Sequence, residues 1–98
     1  MRMPVILRRM AQAEFDEAAD WYEQRRAGRG AAFTAAVRQV LSRIAAAPDG
    51  HPEIYADIRE AMVPGYPYAV YYRFDARQVT VLAVFHTSRD PTGWQSRA

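Results

Sequence analysis

Residues 68–74 read Tyr-Ala-Val-Tyr-Tyr-Arg-Phe, and residues 79–86 read Val-Thr-Val-Leu-Ala-Val-Phe-His. Both stretches are rich in β-branched and aromatic residues, which favour strands. Residues 75–78, Asp-Ala-Arg-Gln, link them, and so short a link predicts an antiparallel hairpin. Residues 58–63 form a further strand pattern that Pro64 and Gly65 end. The C-terminal half therefore predicts a three-stranded antiparallel meander.

The N-terminal half predicts one strand and two helices. Residues 3–8 contain an apolar Val-Ile-Leu run, which predicts a short strand covered on both faces. In residues 11–27 apolar side chains recur at helical spacing, and the acidic side chains between them are interpreted as a solvated helix face. Residues 30–47 repeat the helical pattern until Pro48 ends it. A link as short as Gly-Arg-Gly predicts that the two helices form an antiparallel hairpin.

The order of these elements predicts an α+β fold, β-α-α-β-β-β, with the helical hairpin packed on one face of a small, mainly antiparallel sheet. We expect residues 1–98 to form a single domain, because a chain of this length has no room for a second folded unit. Residues 48–57 are predicted to be a loop. Asp90 and Pro91 are predicted to cap a final turn that carries Trp94.

Pairing across the last hairpin assigns each side chain to a face of the sheet. With Phe74 opposite Val79, alternation places one set of residues against the helices: Tyr68, Val70, Tyr72, Phe74, Val79, Val81, Ala83 and Phe85. The helical residues predicted to pack on them are Phe33, Val37, Leu41 and Ile44. A mixed set remains for the opposite face, which is the candidate working surface: Ala69, Tyr71, Arg73, Thr80, Leu82, Val84 and His86. The pattern leaves the face of Arg59 open.

Composition excludes several kinds of site. Cysteine is absent, which excludes disulfides and cysteine nucleophiles, and with only His51 and His86 a zinc site is not expected. We predict no metal and no cofactor. No apolar run approaches the ~20 residues of a membrane span or the ~7–15 residues of a signal-peptide core, so we expect a cytoplasmic protein without a membrane partner. All thirteen basic residues are arginine, which suits phosphate recognition or reflects a GC-rich genome.

One group of polar residues could carry chemistry. His86, Arg89 and Asp90 follow the last strand, and Tyr71 and Arg73 lie on its neighbour. Cleavage of a phosphodiester by a 2′-hydroxyl needs a base, an acid and a cation for the developing charge, and these residue types can supply all three. The alternative interpretation is structural: a strand-end histidine, a tyrosine on the sheet surface and a local Arg-Asp cap. Sequence motifs of serine hydrolases, nucleotide-binding loops and zinc proteases are absent.

The element order and the C-terminal sequence together resemble the RelE/ParE toxin superfamily of bacterial type II toxin–antitoxin systems. The resemblance covers nearly the whole chain and rests on Arg59, Pro67-Tyr68, Tyr72-Arg73 and the ending His86-x-x-Arg89-Asp90. It implies a cytoplasmic toxin, of the kind that arrests growth and stabilises plasmids. It also implies a cognate antitoxin, a small protein that wraps the helices and the sheet.

This superfamily divides by mechanism, and the resemblance implies different site residues in each case. RelE-like members resemble endoribonucleases that cut mRNA in the ribosome, and their catalytic set here would be His86, Arg73, Arg89, Tyr71 and Arg59. ParE-like members resemble inhibitors of DNA gyrase without a hydrolytic site, and the target-binding residues here would be Arg73, Arg89 and Trp94.

Departures from the ribonuclease pattern favour the ParE-like interpretation. RelE-like proteins carry a basic residue after the tyrosine that opens the penultimate strand, where this chain has Ala69, and Trp94 stands in place of a C-terminal tyrosine. Lysine is absent, and arginine replaces its charge but not its titratable amine. We therefore expect a non-catalytic gyrase inhibitor. The alternatives are a ribosome-dependent endoribonuclease and a relative that binds its antitoxin without being toxic.

Overall fold

The computed structural model describes residues 2–98. Strand β1 (Val5–Leu7) is followed by two long helices, α1 (Arg9–Arg25) and α2 (Arg29–Ala46), and by a 3₁₀ turn at Pro48–Gly50. The remaining elements are β2 (Glu53–Tyr55), β3 (Ile58–Met62), β4 (Tyr68–Phe74), β5 (Val79–His86) and a short helix, α3 (Thr92–Gln95). The strands lie in the order β1-β5-β4-β3-β2, with β1 parallel to β5 and the other pairs antiparallel. The predicted α+β fold is confirmed.

A carboxylate and two glycines shape the turn between α1 and α2. Glu23 accepts the backbone N–H of Gly28 and that of Gly30, each at 3.0 Å, and so satisfies donors at the N-terminus of α2. Gly28 has a φ of 91°, in the left-handed region that favours glycine. A Cβ on Gly30 would lie 2.7 Å from the carbonyl oxygen of Ala19, so the two helices cross closely only because this residue is glycine. Glu23 therefore caps α2 while its side chain stays exposed, as predicted for the acidic face of α1.

The core lies between this helical hairpin and one face of the sheet. Phe33, Val37 and Ile44 of α2 are fully buried there, as predicted, together with apolar side chains of β4 and β5. Leu41 is only partly buried at the margin of the core, and Val40 is buried instead. The reason is that α2 packs against α1 as well as the sheet, which rotates its buried stripe towards α1.

The predicted register of the last hairpin is right near the turn and wrong beyond it. Tyr72 pairs with Val81 as predicted, but Tyr71 then pairs with Ala83, so Leu82 is an extra residue in β5. This β-bulge shifts the pairing by one residue, and a shift of one exchanges the two faces of a strand.

The bulge overturns the face assignment in the second half of β5. The predicted pairs Val70–Ala83 and Tyr68–Phe85 are wrong, and the observed pairs are Val70–Val84, Ala69–Phe85 and Tyr68–His86. Val84 and His86 therefore lie on the helix side of the sheet. Ala83 and Phe85 lie in a second apolar cluster on the opposite face.

Two predictions at the edges of the sheet are also wrong. The predicted loop at residues 48–57 contains β2, whose Tyr55 pairs with Ile58 of β3. Three residues are too few to show an alternating pattern, so the sequence carries no strand signal there. Strand β1 is an edge strand rather than a covered one, and its Ile6 side chain is 48% exposed.

The predicted C-terminal turn is confirmed. The Asp90 carboxylate accepts the backbone N–H of Thr92 at 3.0 Å, and α3 follows. This hydrogen bond, together with one from the Thr92 side chain, holds the pKa of the Asp90 carboxyl below its usual value. Within residues 2–98, no helix is both long and apolar enough to cross a membrane.

Candidate functional site

A groove runs between α1 and the ends of β4 and β5, on the helix side of the sheet. Its volume is ≈ 500 Å³, and α1 contributes Glu14, Glu17, Ala18, Trp21 and Tyr22 to its wall. The opposite wall consists of Pro67, Tyr68, Val84, His86, Ser88 and Arg89. Trp21 is 49% exposed at the rim, and the Arg25 guanidinium lies 4.3 Å from the centre of its ring. The groove therefore combines exposed aromatic surface with charges of both signs.

His86 is oriented towards this groove by the residues that follow it. Its Nδ1 atom accepts the backbone N–H of Ser88 at 3.1 Å and lies 2.8 Å from the Ser88 hydroxyl. Because Nδ1 accepts a backbone hydrogen, the neutral ring carries its own proton on Nε2. The imidazole packs edge-on against Tyr68, with ring centres 5.1 Å apart. In this tautomer Nδ1 is engaged by the chain, and the Nε2–H is the hydrogen-bond donor that His86 can offer to a partner.

Two tyrosines that line the groove with His86 are poor proton donors. Burial raises the pKa of the Tyr68 phenol, and the neighbouring Tyr22 raises it further against the opposing charge of Arg89. Burial likewise raises the pKa of Tyr22, with a contribution from Tyr66. Both phenols stay protonated at neutral pH, so they act as hydrogen-bonding and stacking groups.

Tyr71 lies on the opposite face of the sheet, in the second apolar cluster. Its hydroxyl donates to Glu60 at 2.8 Å, and its ring stacks on Trp94 with centres 4.0 Å apart. Burial and the Glu60 carboxylate together raise the pKa of Tyr71 far above its ordinary value. A phenol held in this way is a structural hydrogen-bond donor, because it releases its proton only in strong base.

The two arginines of β3 and β4 are engaged by the protein itself. Arg73 shares the face of Tyr71 and forms an ion pair of 3.0 Å with Asp57. Arg59 pairs with Tyr72 and so lies on the helix side of the sheet, which settles the face left open by the sequence. Its guanidinium donates to backbone carbonyls of Asp49 and His51, beside the C-terminus of α2.

The structure does not bring the predicted ribonuclease set together. His86 lies in the groove, whereas Tyr71 and Arg73 lie behind the sheet. Arg59 is on the same side as His86, but it is separated from the His86 end of β4 by about 13 Å, at roughly 3.3 Å per residue. Only Arg89 remains beside His86.

The three predicted target-binding residues lie in different surroundings. Arg89 is exposed at the end of the groove, and its guanidinium lies 4.7 Å from the centre of the Phe85 ring. Arg73 is on the opposite face in its ion pair with Asp57. Trp94 is only 3% exposed, so its ring packs within the protein.

The model of one protein family, the ParE toxin of the type II toxin–antitoxin system parDE, matches residues 5–91. The chain belongs to this family. The match spans both long helices and all five strands, includes the whole His86-x-x-Arg89-Asp90 signature and ends at Pro91. The predicted membership of the RelE/ParE superfamily, on its ParE-like side, is therefore confirmed.

A solved structure agrees with this assignment at the level of the fold. A chain from the chromosomal ParDE toxin–antitoxin system of P. aeruginosa superposes with a TM-score of 0.77 at 14% identity, and the alignment covers 89% of this ParE-family chain and 98% of that one. No curated protein sequence is significantly similar to the chain.

One important pair in this ParE-family toxin escaped the sequence analysis. Arg97 donates to both carboxylate oxygens of Glu14, at 2.9 and 2.8 Å, and both side chains are largely buried. Glu14 belongs to the acidic run interpreted as solvated, and this part of that interpretation is wrong. The only signal was an arginine near the C-terminus, and nothing in the sequence links it to a residue of α1.

Proposed function

We propose that this ParE-family chain is a cytoplasmic toxin that arrests growth by binding and inhibiting DNA gyrase, and that it cuts no RNA itself. The support is the division of the candidate proton-transfer and cationic groups between the two faces of the sheet. Hydrolysis needs an acid, a base and a charge-stabilising group within hydrogen-bond reach of one substrate. Of the predicted catalytic set, only His86 and Arg89 line the groove together, and burial raises the pKa of the neighbouring Tyr22 and Tyr68 phenols, which makes them weak acids.

Target contact is proposed at the end of the groove. Arg89 is exposed, and stacking on Phe85 restricts its guanidinium, which lowers the entropy lost on binding. Arginine is enriched among the few residues that dominate binding energy. Arg73 would form a second contact only after releasing Asp57. Because the Trp94 ring is buried, its proposed role is to hold the C-terminal tail beside Arg89.

The groove itself is proposed as the place where the antitoxin covers the toxin. Exposed Trp21 at its rim and the apolar parts of Tyr22 and Tyr68 offer surface that a partner can bury. Glu17 and Arg89 provide charges of opposite sign for specificity. A stable complex should bury at least about 1,200 Å² in total.

The test compares His86→Gln, Arg89→Gln and the matched control Arg38→Gln, an exposed arginine of α2 outside the groove. Each variant is induced at equal expression, growth arrest is recorded, and cellular transcripts are mapped for new 5′ ends. Purified variants are then titrated into a gyrase supercoiling assay.

We expect Arg89→Gln to weaken arrest and gyrase inhibition by about fivefold or more, the effect of losing a contact worth over ~1 kcal/mol. His86→Gln and Arg38→Gln should keep most of both activities. Transcript cleavage that disappears in His86→Gln, where a general acid or base would lose about 10²–10⁴ in rate, would replace this proposal with the ribonuclease. Absence of any arrest by the folded parent would leave only an antitoxin-binding relative.

A further inference from the structure

The β-bulge in β5 decides which side chains reach the groove. Beyond the extra residue Leu82, the pairing with β4 is shifted, and His86 points to the helix side while Phe85 points away. In an unbulged strand of the same sequence, alternation would place His86 behind the sheet. The bulge is thus the feature that makes His86 part of the groove.

Two side chains occupy the outer edge of β5 at this bulge. Strand β1 ends at Leu7, and the Arg8 N–H donates to the Val81 carbonyl at 3.0 Å. Within residues 2–98, no strand pairs with this edge of β5 beyond that point. Glu14 instead accepts the backbone N–H of Val84 at 3.1 Å. Arg97 donates to the carbonyl of Leu82 at 3.1 Å.

The same two side chains bind each other, which fixes both in place. The Arg97 guanidinium meets the Glu14 carboxylate at 2.9 and 2.8 Å, and the side chains are only 13% and 15% exposed. A bidentate, largely buried Arg–Glu pair of this kind fixes the orientation of both side chains. It ties together α1, the bulge and the C-terminal tail.

We propose that Glu14 and Arg97 are positioning residues of the groove, which hold the bulge that turns His86 towards a bound partner. The structural part stands on the contacts above, and only the expected effect on antitoxin binding rests on the proposed function.

Glu14 and Arg97 cannot exchange places, because the bulge needs an acceptor at one position and a donor at the other. The bulge offers an N–H at Val84, which requires an acceptor from α1, and a carbonyl at Leu82, which requires a donor from the tail. Exchanging the charges keeps the attraction between the side chains but presents a donor to the N–H and an acceptor to the carbonyl. The reversed pair therefore should not restore the bulge.

The experiment measures amide hydrogen exchange in the full-length chain. The variants are Glu14→Ala and the reversed double variant Glu14→Arg with Arg97→Glu. Asp20→Ala is the matched control, because Asp20 is an exposed carboxylate of the same helix that does not line the groove. The amide of Val79, which bonds Pro4 on the same edge of β5 at 2.9 Å, is the internal reference. Ring contacts between His86 and Tyr68 are followed by nuclear Overhauser effects.

We expect Val84 to exchange about tenfold faster or more in Glu14→Ala, since a hydrogen bond to a charged group is lost. Neither the Val79 amide in Glu14→Ala nor the Val84 amide in Asp20→Ala should show such a change. The reversed pair should leave Val84 fast and the His86–Tyr68 contact weakened. Unchanged exchange at Val84 in Glu14→Ala, or restored protection in the reversed pair, would overturn the proposal.

Two further measurements keep the test decisive. If Glu14→Ala does not fold, Glu14→Gln replaces it, because a neutral amide oxygen accepts a weaker hydrogen bond from Val84 than a carboxylate does and also pairs more weakly with Arg97. Faster exchange confined to Val84 is again expected, and no acceleration again overturns the proposal. The proposed antitoxin is sought as the product of the gene adjacent to that of the toxin, co-expressed with it. The variants in which the Val84 amide exchanges faster should also bind this product more weakly. If the parent binds no such product, the proposed antitoxin partner fails while the exchange result still decides the role of the pair.

Discussion

At the scale of single residues, Tyr72 shows how one hydroxyl secures the end of a helix. The side chain is fully buried, and its hydroxyl donates to the carbonyl of Pro48 at 2.6 Å, just after α2. The Nδ1 atom of His51 lies 3.2 Å from the Tyr72 hydroxyl oxygen. Burial raises the pKa of Tyr72 to about 12, and Asp49 adds to the effect of burial while Arg59 opposes it.

This raised pKa predicts a loss of stability in alkaline solution. The unfolded chain releases the phenol proton near its ordinary pKa of about 10, whereas the folded chain keeps it. The free energy of unfolding therefore falls as pH rises from about 10 towards the folded pKa of Tyr72. Tyr72→Phe should lower stability by ~1–3 kcal/mol near neutral pH, because the Pro48 carbonyl loses its donor. The same variant should show a shallower alkaline decline.

Urea unfolding near neutral pH and again above about pH 10 measures both effects. Tyr55→Phe is the control, since Tyr55 is 43% exposed and its loss should change stability by under ~0.5 kcal/mol. An alkaline decline that is equally steep in Tyr72→Phe and in the parent would contradict the assignment.

At the scale of elements, the short helix α3 depends on a close contact with the sheet. A Cβ on Gly93 would lie 2.7 Å from Cζ of Phe85, a ring that is itself 2% exposed. This approach lets Trp94 reach Tyr71 and Arg97 reach Glu14. The tail thus closes one end of the sheet from behind, although it contains only one short helix.

Gly93→Ala should therefore lift the tail from the sheet. Overpacking of this kind costs ~1–3 kcal/mol, and it should move Trp94 into contact with water. The measurement is tryptophan emission in a Trp21→Phe background, which leaves Trp94 as the only tryptophan. Gly50→Ala is the matched control, because its Cβ would lie 3.6 Å from the nearest side chain, an ordinary contact. Emission from Gly93→Ala as blue as that of the control would show that the tail tolerates the added methyl group.

At the scale of the whole molecule, stability comes from the layer between the helical hairpin and the sheet. Ile44 is fully buried in this layer, whereas Leu41 lies at its margin. Ile44→Ala should cost ~2–5 kcal/mol, a large part of a total stability of roughly 5–15 kcal/mol. Leu41→Ala should cost clearly less. Urea unfolding of both variants tests this order, and a larger loss in Leu41→Ala would show that the phase assigned to α2 is wrong.

The sequence predicted the long elements because their signals are local. The β-rich run at residues 79–86 coincides with β5, and the apolar spacing through Phe33, Val37 and Ile44 marks the buried side of α2. The bulge could not be predicted, because it is held by Glu14 and Arg97, which are 83 residues apart in the chain. As a result, the sequence identified His86 as a candidate but placed it on the wrong face of the sheet.

The pairing of the first strand with the last has a kinetic consequence. Residues 5–7 can join the sheet only when residues 79–81 are available, because β1 hydrogen-bonds to β5. Contacts so distant in sequence must close a loop spanning most of the chain before they contribute free energy, which slows folding. During synthesis, the helical hairpin emerges from the ribosome long before the sheet on which it packs. A chain that lacks residues 79–81 would therefore leave the apolar stripe of its helices exposed, which is the kind of surface that leads to aggregation.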